Sequence, residues 1–510
     1  MKFFTCDKIK AADAYTIANE PISSVDLMER AAEQLANWIH NRFPSETQFI
    51  IFAGPGNNGG DGWALARILS KQGYSKISVY LLQINDLLSP DSEINRERLF
   101  SESKVVVRNI KSSSDFPAID KNDYIIDALF GSGLTRPLVD LPAKLVQFIN
   151  QSQKKGLLAI DIPSGLLGED NSGNIPDNII KASYTLSFQF PKLSFFFAEN
   201  AKYVGEWHAL PIGLHRSFIE NETTQFNYIE EEGVIGRLKV RDKFSHKGTY
   251  GHALLIAGSY GMMGAAVLSA RAAIRAGAGL VTSHVPSCGV DILQNSIPES
   301  LLSFDHSEEF FTEFPSPEKY SAIGIGPGLG KNLKSCEALI QLLGKCKVPM
   351  VIDADALNIL AGSETWQDII PEGCILTPHP KEFERLFGKF PNSYLRLMTQ
   401  INFSHEKKCT IILKGAHTCI TSSEGNVWFN TTGNPGMATG GSGDVLTGLV
   451  LGLVAQGYCA SDASILATYI HGFAGDLAAK KKGMHGLIAS DIVDNIGPVF
   501  SVLENKKPST

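Results

Sequence analysis

The 510-residue sequence predicts two α/β domains, each with a mostly parallel sheet that is covered by helices on both faces. A chain of this length exceeds what one hydrophobic core normally organises. In both halves, apolar strand-like runs ending in Asp or Gly alternate with helix-like stretches, as expected of parallel sheets. Three glycine-rich segments, at 54–62, 324–330 and 433–448, suggest places where phosphates meet helix N-termini.

The first half begins with an amphipathic segment through Trp38 and continues with the strand QFIIFAG, a glycine loop and a helix closed by Gly73. Further strands are predicted at ISVYLL (77–82), DYIIDALFGSGL (123–134), LLAIDIPSGL (157–166) and YTLSFQF (184–190). Parallel strands bring their carboxyl ends to one edge of the sheet, so functional residues are expected there.

A polar, acidic stretch poor in strand signal separates the halves. We therefore predict domains at 1–215 and 239–505, joined by a linker at 216–238. The second half has strand patterns at HALLIAGS (252–259), GLVTSHVP (279–286), AIGIGPG (322–328), PMVIDADAL (349–357), CILTPHP (374–380) and TIILKGAHTCI (410–420). The third glycine segment and two helices follow.

Composition limits the classes of partner and the cellular location. The net charge is -7, and the Lys and Arg residues are scattered, which argues against nucleic acid or a membrane surface as the main partner. The eight cysteines show no metal-ligand spacing and suit reduced thiols in a cytoplasmic protein. The N-terminus has no apolar signal-peptide core, and no apolar run reaches membrane-spanning length.

The first glycine segment reads GPGNNGGDG. Asn57, Asn58 and Asp61 offer polar side chains at the mouth of the loop, and Gly59 and Gly60 would let a pyrophosphate or sugar approach the backbone. A purely structural turn is the alternative for the glycines alone. The complete NNGGDG string is more specific and favours a binding site.

Two carboxylates follow neighbouring strands. Asp127 ends one strand-like run, and Asp161 ends another, with Ser164 three residues later. Together they suit either a hard-oxygen cation site or an acid/base pair. For a single aspartate the alternative is a helix N-cap or a turn.

NNGGDG, DALFGSGLTRP and AIDIPSGL together resemble the N-terminal domain of the NAD(P)H-hydrate repair enzymes, the YjeF N-terminal or NAD(P)HX epimerase family. The resemblance covers about residues 1–215 and implies a Rossmann-like three-layer α/β/α domain that interconverts R and S hydrated NADH or NADPH. It implies substrate contacts at Asn57, Asn58, Gly59, Gly60, Asp61, Gly131, Ser132, Gly133, Leu134, Thr135, Arg136, Pro137 and Asp161, and potassium on Asn58, Asp127 and Ser164. Asp161 is our candidate acid/base, and Lys192 is either a second candidate or a phosphate partner.

The third glycine segment, GNPGMATGGSGDVLTG, places Asp444 at the start of an apolar helix. Free amides at a helix N-terminus stabilise a transferring phosphoryl group, and a carboxylate there can accept a proton from an attacking hydroxyl. A flexible loop capped by Asp444 is the alternative. Lys414 ends a strand-like run and suits phosphate contact. His379 lies between two prolines; a lone histidine is more often structural, so it is a site candidate only together with the other motifs.

GPGLG, DADALN, LTPHPKE, KGAHT and GGSGDVLTG resemble the ribokinase-like C-terminal domain of the same enzymes, the ADP- or ATP-dependent NAD(P)H-hydrate dehydratases, from about Lys247 to Asp491. The resemblance implies hydrated-nicotinamide contacts at Ala265, Gly328, His379 and Asp444. It implies ADP contacts at Lys414, Gly415, Ala416, His417, Thr418, Asn434, Pro435, Gly436, Met437, Ala438, Thr439, Gly440, Gly441, Ser442 and Gly443.

The implied dehydration phosphorylates the ring hydroxyl and then expels phosphate. Asp444 would be the base, while the amides of 441–443 and a magnesium ion would stabilise the phosphoryl charge. Taken together, we expect NADHX, NADPHX and ADP as small-molecule substrates and a homo-oligomer. The choice between ADP and ATP stays open, and so does the alternative of a small-molecule kinase fused to a nucleotide-sensing module.

Overall fold

The computed structural model describes residues 1–84 and 87–507. The chain divides into two compact units. We call 2–224 with 391–394 the N-terminal unit, and 225–390 with the chain from Leu395 and Met1 the C-terminal unit. The division between Thr224 and Gln225 falls inside the segment predicted as a linker.

The N-terminal unit contains a seven-stranded sheet of order β3-β2-β1-β4-β5-β6-β7, in which every pair is parallel. Its strands are β1 (Phe49–Ala53), β2 (Ile77–Leu82), β3 (Val106–Ile110), β4 (Tyr124–Ala128), β5 (Gly156–Ile160), β6 (Tyr184–Phe188) and β7 (Glu206–Leu210). Its helices are α1 (Cys6–Asn19), α2 (Ser24–His40), α3 (Asn57–Lys71), α4 (Pro90–Glu102), α5 (Asp140–Gln151), α6 (Ala201–Val204) and α7 (Arg216–Asn221).

Both faces of this sheet are covered by helices. Leu35 of α2 and Trp63 of α3 pack on one face, and Val146 and Ile149 of α5 pack on the other. The predicted three-layer α/β/α arrangement is therefore confirmed. The amphipathic stretch through Trp38 is α2, which buries one apolar face.

The C-terminal unit contains a ten-stranded sheet of order β11-β10-β9-β12-β13-β14-β15-β16-β17-β8. Its strands are β8 (Phe226–Tyr228), β9 (His252–Ile256), β10 (Leu280–Pro286), β11 (Leu301–Asp305), β12 (Ala322–Ile325), β13 (Met350–Ile352), β14 (Ile375–Leu376), β15 (Thr410–Leu413), β16 (Cys419–Thr421) and β17 (Val427–Phe429). The helices after α7 are α8 (Glu231–Arg237), α9 (Met263–Arg275), α10 (Val290–Ser296), α11 (Leu333–Lys345), α12 (Ala354–Leu360), α13 (Pro380–Phe387), α14 (Ser393–Glu406), α15 (Ser442–Ala455), α16 (Ala460–Lys482) and α17 (Ala489–Asn505).

The strands from β11 to β15 in that order are parallel, whereas β15, β16 and β17 form antiparallel pairs. The single strand expected over TIILKGAHTCI is therefore wrong, because its KGAHT centre is a turn that leads into a hairpin. β8 pairs with β17 at the sheet edge, so part of the predicted linker belongs to this unit.

Helices α9 and α15 run from the candidate site into the core of the C-terminal unit. Glycines on α15 allow close packing, since a Cβ at Gly448 would clash with the backbone carbonyl of Ser269 on α9. Val445 and Leu449 of α15 are fully buried in the same apolar cluster. Among the described residues, a helix suited to crossing a membrane was not found.

Candidate active sites

In the N-terminal unit, a cavity of about 980 Å³ lies at the carboxyl ends of the strands. The predicted site residues that line it are Asn57, Asn58, Asp61, Gly131, Ser132, Gly133, Leu134, Thr135 and Asp161. The structure thus brings the first glycine segment, the 131–135 loop and the end of β5 to one space. Its volume suits a small-molecule ligand.

Gly59 and Gly60 do not line this cavity. Both lie in the first turns of α3, where a Cβ at Gly59 would clash with the Gly54 carbonyl and one at Gly60 would lie 2.6 Å from Met28 Sδ. Their lack of a side chain therefore serves helix packing. Arg136 and Pro137 are also outside the cavity lining, and ligand contact at these four positions stays a prediction.

Asp127 and Ser164 are in direct contact and fully buried. Ser164 donates from Oγ to Asp127 Oδ1 at 2.6 Å and from its amide to Oδ2 at 2.8 Å, and the Leu129 amide also donates to Oδ1 at 3.2 Å. Burial raises the pKa of Asp127 to about 6, despite these hydrogen bonds. In the described residues no cationic side chain pairs with this carboxylate.

A monovalent cation fits beside these residues. Asn58 is 8% exposed, and its Nδ2 atom is buried without a hydrogen-bond partner; Nδ2 is a donor, so a cation would be held by the amide oxygen of Asn58. The buried Asp127 carboxylate lacks a compensating charge, which a cation would supply. Amide, hydroxyl and carboxylate oxygens are suitable ligands for a hard cation.

Asp161 is held in a strained, charged environment. It has a φ of +64°, and its Oδ1 accepts from Lys192 Nζ at 2.7 Å while Oδ2 accepts from the Ser132 amide at 3.0 Å. Burial alone would raise the pKa of Asp161, but the Lys192 ammonium and the hydrogen bonds outweigh it, and the pKa is lowered. Lys192 is 1% exposed and also donates to Ser187 Oγ at 3.0 Å.

Asp13 lines the same cavity from α1, and sequence reasoning did not single it out. Burial and the negative charge of Asp161 raise the pKa of Asp13 to about 6. Burial, together with Asp161 and Asp13, raises the pKa of Asp61 well above its usual range. An aspartate within an ordinary-looking helix carries no sequence signal for this role, because the topology alone brings α1 to the strand ends.

In the C-terminal unit, Asp444 lies in the first turn of α15, after Gly441 at φ +87°. Burial and the nearby negative charge of Asp353 raise the pKa of Asp444 to about 6, and Lys414 only partly offsets them. A carboxylate with such a pKa, set at a helix N-terminus, can accept a proton near neutral pH.

Lys414 forms an ion pair with a residue that was not among the predicted site residues. Its Nζ lies 2.8 Å from Asp353 Oδ1 and 3.9 Å from Glu382 Oε2. Thr447 Oγ1 donates to the other carboxylate oxygen of Asp353, which is 1% exposed. The DADALN motif that contains Asp353 was a sequence signal, although the motif alone did not indicate its partner.

His379 is the N-cap of α13. Its Nδ1 accepts from the amides of Lys381 at 3.1 Å and Glu382 at 3.2 Å, which fixes the ring. Burial lowers the pKa of His379. Elsewhere in this unit Gly328 packs against the α9 N-terminus, where a Cβ on Gly328 would lie 3.0 Å from Ala265 Cβ. The predicted neighbours Ala265 and Gly328 are thus brought together.

The predicted ADP residues occupy two segments. The segment 414–418 forms the turn between β15 and β16, closed by Thr418 Oγ1, which donates to the Gly415 carbonyl at 3.0 Å. In the segment 434–443, Asn434 Nδ2 donates to Asp476 Oδ1 at 2.8 Å. The two segments approach each other, since a Cβ at Gly443 would lie 3.5 Å from Lys414 Nζ.

His471 of α16 is a further residue that the sequence did not indicate. Its Nε2 lies 2.9 Å from the Ser442 carbonyl at the start of α15. Burial lowers the pKa of His471 to about 4, so the ring is neutral near neutral pH. A neutral ring can donate to that carbonyl and fix the first turn, which includes Asp444.

Comparison with known proteins gives matches over both units. A family model described as YjeF-related protein N-terminus matches residues 24–194, and one described as NAD(P)H-hydrate dehydratase matches residues 253–498. The chain is 33% identical to the bifunctional NAD(P)H-hydrate repair enzyme Nnr of Moorella thermoacetica, over 99% of this chain and 98% of that protein. It is 35% identical to the enzyme of that name from Coxiella burnetii, over 93% and 94% of the two chains.

Among solved structures, the chain is similar to the ADP/ATP-dependent NAD(P)H-hydrate dehydratase from Bacillus subtilis, co-crystallised with ATP and Mg²⁺. The identity is 33%, the TM-score is 0.49, and the match covers 55% of this chain and 99% of that chain.

Proposed function

This chain belongs to the family of bifunctional NAD(P)H-hydrate repair enzymes, and we propose from that premise that it restores hydrated NADH and NADPH in two steps. The N-terminal unit interconverts the R and S epimers of the hydrate. The C-terminal unit dehydrates the S epimer and consumes ADP, giving AMP and phosphate. A cytoplasmic location and a homo-oligomeric state stay predictions from the sequence.

The single observation that carries the dehydratase proposal is the environment of Asp444. It combines a position in the first turn of α15 with a pKa raised to about 6. Asp444 takes the proton of the ring hydroxyl, whose oxygen attacks the terminal phosphorus of ADP while the bond to AMP breaks. The ring nitrogen lone pair then expels inorganic phosphate to give a C=N bond, and loss of a proton from the adjacent ring carbon returns those electrons to nitrogen and restores the C=C double bond of the reduced nicotinamide.

The surroundings of Asp444 support transfer of a phosphoryl group. The amides at the start of α15 offer hydrogen bonds to phosphoryl oxygens, and Lys414 brings positive charge close to Gly443. In the described part of the chain no cluster of three or more His, Cys, Asp or Glu residues suits a metal ion. We therefore propose that magnesium enters with the nucleotide and is held mainly by its phosphates, where it would neutralise their charge.

For the N-terminal unit, we place the hydrate in the cavity between the first glycine segment and the 131–135 loop. Asn58, Asp127 and Ser164 would hold potassium, which supplies the positive charge that the buried Asp127 carboxylate lacks. The acid/base role predicted for Asp161 stays a prediction. Its ion pair with Lys192 favours a fixed negative charge beside the substrate.

The proposed function is tested by incubating the protein with chemically hydrated NADH and with ADP or ATP. Absorbance of reduced nicotinamide should return with release of one phosphate per NADH formed. Faster recovery with ADP supports the nucleotide proposed, and faster recovery with ATP reverses that assignment. A stable phosphorylated product without NADH recovery would instead identify a small-molecule kinase.

Asp444→Asn tests whether Asp444 is the base of the dehydration. It should lower the dehydration rate by about 10²- to 10⁴-fold, the range typical of a lost general base, while ADP binding measured by calorimetry persists. Epimerisation by the N-terminal unit of the same variant is the internal control. Full dehydration by Asp444→Asn would refute the assignment of the base.

A further inference from the structure

The cavity of the N-terminal unit is rich in carboxyl groups. Those that line it are Asp7, Asp13, Asp61, Asp161, Glu169 and Asp170. The lining includes one basic side chain, Lys10, and the buried Lys192 is already paired with Asp161. Carboxylates repel a pyrophosphate, so the acidic region suits the uncharged hydrated ring, and the 131–135 loop suits the phosphates.

Asp13 and Asp61 stand out because neither is engaged. In the described residues neither side chain has a hydrogen bond or an ion pair, although Asp61 is only 8% exposed and faces the cavity. Asp61 faces Asp161, Asp13 and Asp91, and Asp13 faces Asp161 and Lys192, with Lys10 and Asp7 on its own helix. A nearly buried carboxyl group without a partner requires an explanation, and a ligand in the cavity would supply its partner.

We propose that Asp13 and Asp61 are the acid/base pair of the epimerase step, and that this step proceeds by loss and re-addition of the ring hydroxyl. The inference rests on the proposed function of the N-terminal unit. It assigns a role to α1, which contributes Asp13, and leaves the Asp161–Lys192 pair as a fixed charge beside the ring.

The protonated Asp61 gives its proton to the departing hydroxyl, the C–O bond breaks, water leaves, and the ring nitrogen lone pair forms a C=N bond. A second water adds to the other face of the planar carbon, the C=N electrons return to nitrogen, and the water proton passes to the Asp13 carboxylate. The reverse direction exchanges the two roles, so both directions need one proton shared between the pair.

The charge of the cavity favours this route over ring opening. Hydroxyl loss creates a cationic iminium ring, which the Asp161 carboxylate and its acidic neighbours stabilise. Ring opening to an aldehyde gives a neutral intermediate that gains nothing from such a cavity. The arrangement of carboxyl groups therefore matches the cationic intermediate.

The test uses the full chain in an Asp444→Asn background, so that R-NADHX is epimerised without being consumed. Asp13→Asn and Asp61→Asn should each slow epimerisation at least about 100-fold while NADHX binding stays within about threefold. Asp177→Asn is the control, because Asp177 is an exposed aspartate of the same unit that lies outside the cavity lining, and it should epimerise within about threefold of its parent. Circular dichroism checks that each variant is folded.

Two further measurements separate the mechanism from a structural effect. In water labelled with ¹⁸O, each epimerisation should place one solvent oxygen on the ring carbon, and the parent rate should fall below a pH of about 6 whereas Asp13→Asn loses that dependence. Retention of the original oxygen, or an Asp13→Asn rate equal to that of Asp177→Asn, would overturn the inference. Absence of epimerisation in the parent would instead refute the proposed function of the unit.

Discussion

Each unit places an aspartate and a lysine at its candidate site, but the two pairs are connected differently. In the N-terminal unit Lys192 Nζ lies 2.7 Å from Asp161, one of the aspartates that line the cavity. In the C-terminal unit Lys414 Nζ lies 2.8 Å from Asp353, and Asp444 is left without an ion pair in the described structure. Burial favours a raised pKa at both carboxyl groups; Lys192 outweighs it at Asp161, whose pKa is lowered, whereas at Asp444 burial and Asp353 outweigh Lys414 and raise the pKa to about 6.

This difference shows that the partner of the lysine decides what the aspartate can do. A carboxylate paired directly with an ammonium group stays ionised and is a weak base, whereas one that feels the lysine only at a distance can exchange protons near neutral pH. The two glycine-rich helix starts, at α3 and α15, therefore support different chemistry. Both sites have a glycine-rich helix start, and they differ in which aspartate pairs with the lysine.

The comparison is tested most strongly by removing each lysine. Lys192→Met leaves Asp161 buried without a cation, and Lys414→Met does the same to Asp353, so each should cost its own unit about 3–5 kcal/mol of unfolding free energy. Scanning calorimetry of the full chain should show one transition shifted in each variant and the other unchanged.

Second substitutions provide the controls for this prediction. Asp161→Asn added to Lys192→Met, and Asp353→Asn added to Lys414→Met, should recover part of the lost stability, because the buried charge is then removed. If either single lysine variant is as stable as the parent, its ion pair does not stabilise the unit, and the comparison of the two units is not supported.

Much of this architecture could be predicted from the sequence because buried parallel strands are apolar runs of the right length. The strand predicted at 77–82 is β2 as the structure has it. The edge strands β3 and β7 were missed, since Val106 and Glu206 are exposed and these segments lack a continuous apolar pattern. Strand pairing at the β15–β16 hairpin depends on the turn at KGAHT, because of which TIILKGAHTCI is two strands although its apolar pattern reads as one.

Close packing of the glycine-loop helix α15 on α9 belongs to the C-terminal unit, and Gly448→Ala tests it. Its methyl group would clash with Ser269 and lie 2.8 Å from Ala272 Cβ, so α9 and α15 must separate, at a cost of about 1–3 kcal/mol. Chemical unfolding should show the loss in the C-terminal unit.

Gly344→Ala is the matched control for that prediction. Gly344 lies within α11, and a Cβ there meets nothing within 4 Å, so the substitution should stabilise the same unit by roughly 0.5–1 kcal/mol. Equal effects of the two substitutions would show that helix propensity, rather than close packing of α15 on α9, determines the result.

The candidate sites were predictable only where a motif carries the chemistry. Asp444 was found because it follows a glycine-rich segment, and Asp161 because it ends a strand-like run, whereas Asp13 and His471 lie within helices of ordinary composition. Asp353 belonged to a recognised motif, yet its pairing with Lys414 spans 61 positions in sequence. Such pairings arise from sheet topology and burial, which local sequence patterns do not encode.

The smallest expected effect concerns pH and separates activity from stability at Asp444. As a base Asp444 must be ionised, and its pKa is about 6, so dehydration should fall about tenfold between pH 7 and pH 5. Stability should change in the opposite sense. The folded-state pKa is raised above the unfolded one, so the folded chain binds more protons between these two values, and its stability falls as pH rises through that window.

Asp444→Asn should therefore be more stable than the parent above pH 6, by roughly 1 kcal/mol after allowance for solvent screening of a partly exposed group, and equal to it below pH 4. Asp161→Asn should show the reverse, because the lowered pKa of Asp161 stabilises the fold above the unfolded-state pKa, and this contribution is lost as pH falls. Unfolding of both variants across this pH range gives the measurement. If both substitutions changed stability in the same direction, the difference inferred between the two sites would be wrong. In that difference Lys192 pairs with Asp161, whereas Lys414 pairs with Asp353 and not with Asp444.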